Sequence, residues 1–228
     1  STQDIAKIED SAMLVLNGGK LEAWGEQIKE NLQGKQTLIL TVGENIATKE
    51  IEEDGEKIQD PHIWLDPVLA KKEVEMIANG LAQVDPANNE FYQANATQLL
   101  SRLDTLDTEF NQGLKSCIKR DIITSHAAFG YLAAQYQLNQ VAISGLSPDS
   151  EPSVQKLTQV AEFAKKNQIK YIFFESLVSP KLSQTIASEM GAQTLVLNPI
   201  EGLSDEEIKN GKSYFSEMEN NLKNIKMA

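Results

Sequence analysis

The sequence predicts an α/β fold in which two parallel-sheet lobes are joined by one long helix. Short β-branched runs alternate with helical patterns along the chain, which is typical of parallel βα units. One apolar stripe of roughly 29 residues interrupts this alternation and has βα units on both sides of it. We therefore interpret the stripe as a rigid helix that runs across both lobes.

Six short runs are predicted to be strands because they are rich in aliphatic, β-branched and aromatic residues. They are Ala12–Leu16, Thr37–Val42, Asp121–Thr124, Gln140–Ile143, Lys170–Phe174 and Thr194–Leu197. A helix follows Ser150–Ser153, which supplies a capping hydroxyl and an early proline. Another helix, Lys181–Met190, is predicted to end at Gly191.

The long helix is predicted to run from Asn88 to about Ser116. Its apolar residues recur at spacings of three and four, and roughly 29 helical residues would measure about 43 Å. That length exceeds the width of a small domain, so a helix crossing two lobes is a better interpretation than a coiled-coil arm. The stripe consists of Tyr92, Ala96, Leu99, Leu103, Leu106, Phe110 and Leu114.

The segment Glu44–Glu56 is strongly acidic and contains a glycine. This composition predicts a mobile, solvated loop. Weak collection of cations by its carboxylates is the alternative interpretation.

Composition and charge exclude several classes of function. The net charge of −12 argues against a nucleic-acid partner or an anionic membrane surface, because basic patches supply the affinity for both. Cys117 is the only cysteine, which excludes an intramolecular disulfide and a multi-cysteine zinc site. The chain opens at Ser1–Asp4, which resembles a helix N-cap, so we expect a mature or truncated piece.

The first of the two histidines lies in a rigid loop. His62 stands between Pro61 and Pro67 in the run Asp60–Pro67, and prolines restrict the backbone on both sides of it. Trp64 and Leu65 are available to anchor the loop in a core. Taken alone, such a histidine is more often a packed or capping residue than a metal ligand.

Four more polar side chains follow predicted strands, where ligands bind in open α/β sheets. His126 and Ser125 follow Asp121–Thr124, and Glu175 follows Lys170–Phe174. Glu201 comes shortly after the last strand, where the alternative is a cap carboxylate for the helix near Ser204. Two histidines and a carboxylate are ligands that zinc accepts.

Hydrolytic and nucleotide-binding motifs are absent from the sequence. No Gly-x-Ser-x-Gly elbow and no Gly-rich phosphate loop follows any strand. A zinc hydrolase would need an open coordination position and a general base, for which Glu175 or Glu201 are the candidates.

Five motifs in order resemble the TroA-like (cluster A-I) solute-binding proteins of bacterial zinc and manganese ABC importers. The resemblance covers essentially the whole chain. The motifs are Ser1–Ile8, Asp60–Pro67, Asp85–Asn88 with Tyr92 and Asn95, Ser125–Tyr131 with Gly145–Ser153, and Phe173–Glu175 with Leu197–Gly202.

The resemblance implies two Rossmann-like lobes joined by a spanning helix. The expected division is a partial N-terminal lobe at residues 1–87, the helix at 88–117 and a C-terminal lobe at 118–228. The family's first ligand histidine precedes its first helix, so we expect the N-terminal lobe to be incomplete here. The histidine-rich loop of many zinc members is absent from Glu44–Glu56.

The resemblance also implies roles for individual residues. His62, His126 and Glu201 match the family's metal-ligand positions, and we expect them to converge on one point. Glu175, Asp60 and Ser125 are expected to orient those ligands.

Function follows from the same resemblance. We expect an extracytoplasmic, monomeric zinc receptor, periplasmic or anchored at the cell surface, that delivers its metal to an ABC importer permease. Cell adhesion is a further function that the resemblance suggests. Zinc (Zn2+) is favoured over manganese (Mn2+) because manganese members usually carry a carboxylate where this chain has His126. A manganese receptor and a zinc-dependent hydrolase remain the alternatives.

Overall fold

The computed structural model describes residues 2–53, 56–147, 152–175 and 186–228. The chain divides into two compact units, Ser1–Thr105 (unit 1) and Leu106–Ala228 (unit 2). The boundary falls inside the long helix. Among the described residues, no helix has both the length and the apolar composition that a bilayer crossing needs.

Unit 1 is built on a short parallel sheet. Helix α1 (Thr2–Glu9) leads into strand β1 (Met13–Leu16), and helix α2 (Gly25–Asn31) returns the chain to strand β2 (Leu38–Thr41). The two strands pair in parallel, with Leu16 opposite Thr41. A helix that connects two parallel strands packs on one face of their sheet, and Ile28 of α2 is buried.

A hairpin of charged strands follows the parallel pair. Strands β3 (Glu50–Glu53) and β4 (Glu56–Gln59) pair antiparallel, and Ile51 lies opposite Ile58. The prediction of a loop over Glu44–Glu56 is therefore wrong for these strands. Each strand carries a single apolar residue among charged ones, too few to give an alternating pattern.

Two helices complete unit 1, and the second of them continues into unit 2. Helix α3 (Pro67–Val84) begins at Asp66, whose carboxylate accepts the N–H of Val68. It approaches the parallel sheet closely at Gly80, where an added Cβ would lie 2.9 Å from the sulfur of Met13. After a short 3-10 turn, helix α4 (Asn89–Leu114) runs for 26 residues, about 39 Å.

The predicted stripe of the long helix is largely confirmed. Five of its residues are buried, whereas Leu99 is 39% exposed and Tyr92 is half-buried. In unit 2 the stripe stacks on a tyrosine, with the rings of Phe110 and Tyr136 4.9 Å apart. The five buried residues are Ala96, Leu103, Leu106, Phe110 and Leu114.

Unit 2 contains a four-stranded parallel sheet in the order β6-β5-β7-β8. The strands are β5 (Asp121–Thr124), β6 (Asn139–Ala142), β7 (Tyr171–Phe174) and β8 (Gln193–Val196). Each lies within one residue of its predicted position. Strand β5 is central and almost fully buried, which places the residues that follow it at the middle of one sheet edge.

Four helices lie wholly in unit 2 and within the described residues. They are α5 (Gly130–Gln135), α6 (Val154–Lys166), α7 (Asp205–Lys209) and α8 (Tyr214–Met227). The Ser153 hydroxyl caps α6 as predicted, while Ser150 and Glu151 lie outside the described residues. Residues 186–190 are helical and end at Gly191, whose φ of 68° is left-handed. The start of the helix predicted over Lys181–Met190 also lies outside the described residues.

Candidate functional site

His62 is held in unit 1 by the carboxylate two residues before it. Oδ1 of Asp60 accepts the backbone N–H of His62 at 3.0 Å and its ring Nδ1 at 2.8 Å. Both residues are only 1% exposed. Because a carboxylate can only accept, the ring proton is on Nδ1, and Nε2 is the atom with a lone pair for a metal.

The loop that carries His62 is tied to the end of strand β1. The side-chain amide of Asn17 donates to the carbonyl oxygen of Pro61 at 2.9 Å. Gly19 lies against the same proline, where an added Cβ would be 3.1 Å from the proline ring. The indole of Trp64 lies 5.2 Å from the imidazole, and Leu65 is fully buried. These contacts give the loop the rigidity that its prolines predict.

His126 is held in unit 2 by a carboxylate from the neighbouring strand. It follows β5, and its Nδ1 donates to Oε1 of Glu175, which follows β7. The hydroxyl of Ser125 donates to the same oxygen. Glu175 is itself buried, so both donors hold it in one orientation. The arrangement repeats that of Asp60 and His62, and leaves Nε2 as the ligand atom of the second histidine.

Glu201 approaches the other nitrogen of the same ring. Its Oε1 atom lies 3.2 Å from Nε2 of His126. Two zinc ligands at about 2.0–2.1 Å and tetrahedral angles are about 3.3 Å apart, so this spacing fits a shared zinc ion. Unit 2 therefore contains a nitrogen–oxygen pair at the spacing of two ligands of one divalent metal.

The two carboxylates that contact His126 determine its protonation state. Burial opposes the charged ring and lowers the pKa of His126, but the hydrogen bonds to Glu175 and Glu201 outweigh it. Together with the Coulomb attraction of these carboxylates, they raise the pKa to about 9. At neutral pH the metal-free ring therefore carries a proton that a bound cation must displace.

The predicted residues fall into two groups, one in each unit. Asp60 lies with His62 in unit 1. In unit 2, Ser125 and Glu175 lie at His126, and Glu201 contacts its ring. Convergence of His62 with His126 and Glu201 stays a prediction.

Sequence reasoning missed a group of buried amides and a carboxylate behind Glu201. Asn198, Glu217 and Asn221 are all buried, and Asn198 is hydrogen-bonded to each of the other two. The detectable signal was the helical spacing of Glu217, Asn221 and Asn224, four and three residues apart on one face of α8.

The sequence matches the family described as "ZnuA: Zinc-uptake complex component A periplasmic" over residues 1–228. The high-affinity zinc uptake system protein ZnuA of Bacillus subtilis (strain 168) is 39% identical over 98% of this chain and 74% of its own length. The crystal structure of Zn(II)-bound AdcA from Streptococcus pneumoniae is 39% identical, with a TM-score of 0.84. The match covers 100% of this chain but only 49% of the AdcA chain. The laminin-binding protein Lbp of Streptococcus pyogenes gives a TM-score of 0.85 at 31% identity over 100% of this chain and 85% of its own.

Proposed function

This chain belongs to the ZnuA family, and we propose that it is the metal-capturing part of a zinc importer. It binds zinc outside the cytoplasm and delivers the ion to the permease of an ABC importer. The related proteins named for zinc uptake and zinc binding support this function.

One observation carries the proposal. In unit 2 a buried imidazole has one nitrogen oriented by Glu175 and the other 3.2 Å from a carboxylate oxygen of Glu201. A structural ion pair would need only one carboxylate. The second carboxylate, Glu201, is exposed and lies at the nitrogen that faces away from Glu175, and the pair of Glu175 and His126 matches the carboxylate–histidine–zinc pattern of known sites.

We propose that His62, His126 and Glu201 bind the same zinc ion. The support in unit 1 is the matching geometry of His62, whose Nδ1 is held by Asp60 at 2.8 Å. Two oriented imidazoles and one carboxylate form an N2O set, and zinc commonly completes four-coordination with one further ligand. In this proposal residues 1–87 form one lobe, 88–117 the spanning helix and 118–228 the other lobe.

Zinc is the proposed cargo in preference to manganese. Imidazole suits zinc, whereas carboxylates and water suit manganese, and the described ligand pair in unit 2 contains an imidazole. At a site of this kind the usual order of divalent affinities also places zinc above manganese.

The family is one of solute-binding receptors, and we propose that this chain is a receptor and not a zinc hydrolase. Glu175 is already engaged as the acceptor of the His126 ring and the Ser125 hydroxyl. Glu201 is within 3.2 Å of the proposed ligand nitrogen. Neither carboxylate is thereby positioned as the general base that a hydrolytic zinc needs.

An extracytoplasmic location and a monomeric state are part of the proposal. The family description names a periplasmic component, and the related AdcA of Streptococcus pneumoniae is called a zinc-binding lipoprotein. Cell adhesion is supported by the laminin-binding neighbour at 31% identity.

Competition with a chromophoric zinc chelator tests the proposed function. We expect one tight zinc site in the unaltered protein, and a loss of at least about 100-fold in affinity for His126→Ala and Glu201→Gln. Glu206→Gln is the matched control, since it removes an exposed carboxylate five residues from Glu201 and should leave affinity unchanged. Tight binding that survives His126→Ala would overturn the proposal.

A further inference from the structure

A buried polar group supports the turn that carries Glu201. We propose that Asn198, held by Glu217 and Asn221, is the positioning residue that fixes the Glu201 carboxylate for zinc capture. This inference rests on the proposed function and adds a part of the protein that does not touch the metal.

Helix α8 presents a polar face to the outer edge of strand β8. Glu217, Asn221 and Asn224 recur four and three residues apart, so they share one side of the helix. Strand β8 is the last strand of its sheet, and its outer backbone groups have no strand to pair with among the described residues. The helix supplies side-chain partners instead.

Asn221 takes the place of a neighbouring strand. Its Oδ1 accepts the backbone N–H of Asn198 at 2.8 Å, and its Nδ2 donates to the carbonyl of the same residue at 2.7 Å. Asn224 donates to the carbonyl oxygen of Val196 at 2.7 Å. These hydrogen bonds hold the backbone at Val196 and Asn198, and the turn that carries Glu201 begins at Asn198.

The side chain of Asn198 then links the helix to the turn. Its Nδ2 donates to Oε2 of Glu217 at 2.9 Å, and its Oδ1 accepts the backbone N–H of Ile200 at 2.8 Å. A carboxylate can only accept, so Glu217 determines which end of the amide faces Ile200. All three polar residues of this group are buried, where a missing partner is costly.

Ile200 is the residue that needs to be held. Its φ is 56°, a left-handed conformation that is unfavourable for a β-branched residue. Such conformations persist where surrounding contacts enforce them, and they cluster at ligand sites. Glu201 is the next residue, and its Oε1 lies 3.2 Å from Nε2 of His126. The direction of the carboxylate therefore depends on the backbone that Asn198 holds.

Asn198→Ala tests the positioning role. It removes both amide hydrogen bonds and should weaken zinc binding about 10–100-fold, as loss of a residue behind the ligands typically does. X-ray absorption of the zinc-loaded variant should show fewer oxygen neighbours at the zinc than in the unaltered protein. A residue with a purely structural role would lower the melting temperature and leave both zinc readouts unchanged.

Asn224→Ala is the matched control. It removes an amide from the same face of α8 that bonds β8 two residues before Asn198. The control should lose thermal stability while its zinc affinity stays within about threefold of the unaltered protein, since its bond is to the strand and not to the Glu201 turn.

Exchanging the amide of Asn198 with the carboxylate of Glu217 tests the inference even if Asn198→Ala fails to fold. With Asn198→Asp alone, the new carboxylate lies against that of Glu217, and their repulsion should weaken zinc binding. Adding Glu217→Gln restores a hydrogen-bond donor between positions 198 and 217, because the amide now lies on helix α8. The double variant should therefore recover most of the zinc affinity. Recovery supports the positioning role.

Three results would overturn the inference: unchanged affinity in Asn198→Ala, equal losses in Asn198→Ala and Asn224→Ala, or no recovery in the double variant. An unaltered protein that does not bind zinc would instead overturn the proposed function. The two failures are therefore distinguishable in one set of titrations.

Discussion

Glu201 and Glu175 contact opposite nitrogens of the His126 ring, Glu201 at Nε2 over 3.2 Å and Glu175 at Nδ1. The two carboxylates come from different strand ends of one parallel sheet. The two carboxylates differ in role because only the oxygen of Glu201, at Nε2, lies at the distance expected between two ligands of one zinc ion. This asymmetry separates the proposed ligand from the residue that orients it.

The first prediction compares these roles. His126→Ala removes a metal bond, whereas Glu175→Gln keeps the ring and an acceptor oxygen for Nδ1. We expect the loss of zinc affinity to be larger for His126→Ala, with Glu175→Gln costing about 10–100-fold. Isothermal titration with zinc measures both. Equal losses would mean that the two positions are wrongly assigned.

The second prediction concerns the stability of the zinc-free protein. The pKa of His126 is raised from 6.5 to about 9, so the charged ring stabilises the fold fully below pH 6.5, and the effect is lost as pH rises through 9. Between pH 7.5 and 9.5 the free energy of unfolding should fall by about 2 kcal/mol from this group. The window lies above the pKa of Glu73, which burial raises to about 7.

Urea unfolding in the presence of a chelator measures this dependence. His126→Gln is the control, because it keeps the size of a polar side chain and removes the titration. The difference in slope between the two proteins isolates the histidine from other groups that titrate in the window. Identical slopes would contradict the raised pKa.

The third prediction is proton release on zinc binding. The Nε2 proton of His126 must leave before a metal can bind there, and the pKa of about 9 means that it is present at pH 7. Calorimetric binding enthalpies at pH 7 should therefore vary with the ionisation enthalpy of the buffer, corresponding to about one proton from this ring. Because protons compete with zinc for this nitrogen, zinc affinity should also fall about tenfold for each pH unit below about pH 9. Buffer-independent enthalpies would argue that zinc does not bind at Nε2.

Much of the fold and some of the site could be predicted from the sequence. The parallel strands were found because each is a short apolar run, and His126 and Glu175 were found because they stand at strand ends. The β3–β4 hairpin was missed because Ile51 and Ile58 are isolated among charged residues. The role of Asn198 could not be predicted, since it depends on contacts with α8 about 20 residues further along the chain.

The fourth prediction is metal choice. Zinc should displace manganese from the protein at equilibrium, because His126 supplies an imidazole where an oxygen ligand would suit manganese better. The substitution His126→Asp should reduce the preference for zinc over manganese, chiefly by weakening zinc binding. Competition between equimolar metals, read by elemental analysis after dialysis, measures it. Manganese retained against zinc would contradict the assignment.

The most direct test of the account is the crystal structure of the zinc-loaded protein, with anomalous data at the zinc edge. The account predicts one zinc ion bound by Nε2 of His62, Nε2 of His126 and an oxygen of Glu201, each at about 2.0–2.2 Å. Glu175 and Asp60 should remain on the Nδ1 atoms. An anomalous peak away from these residues, or a zinc ion that lacks either histidine, would contradict it.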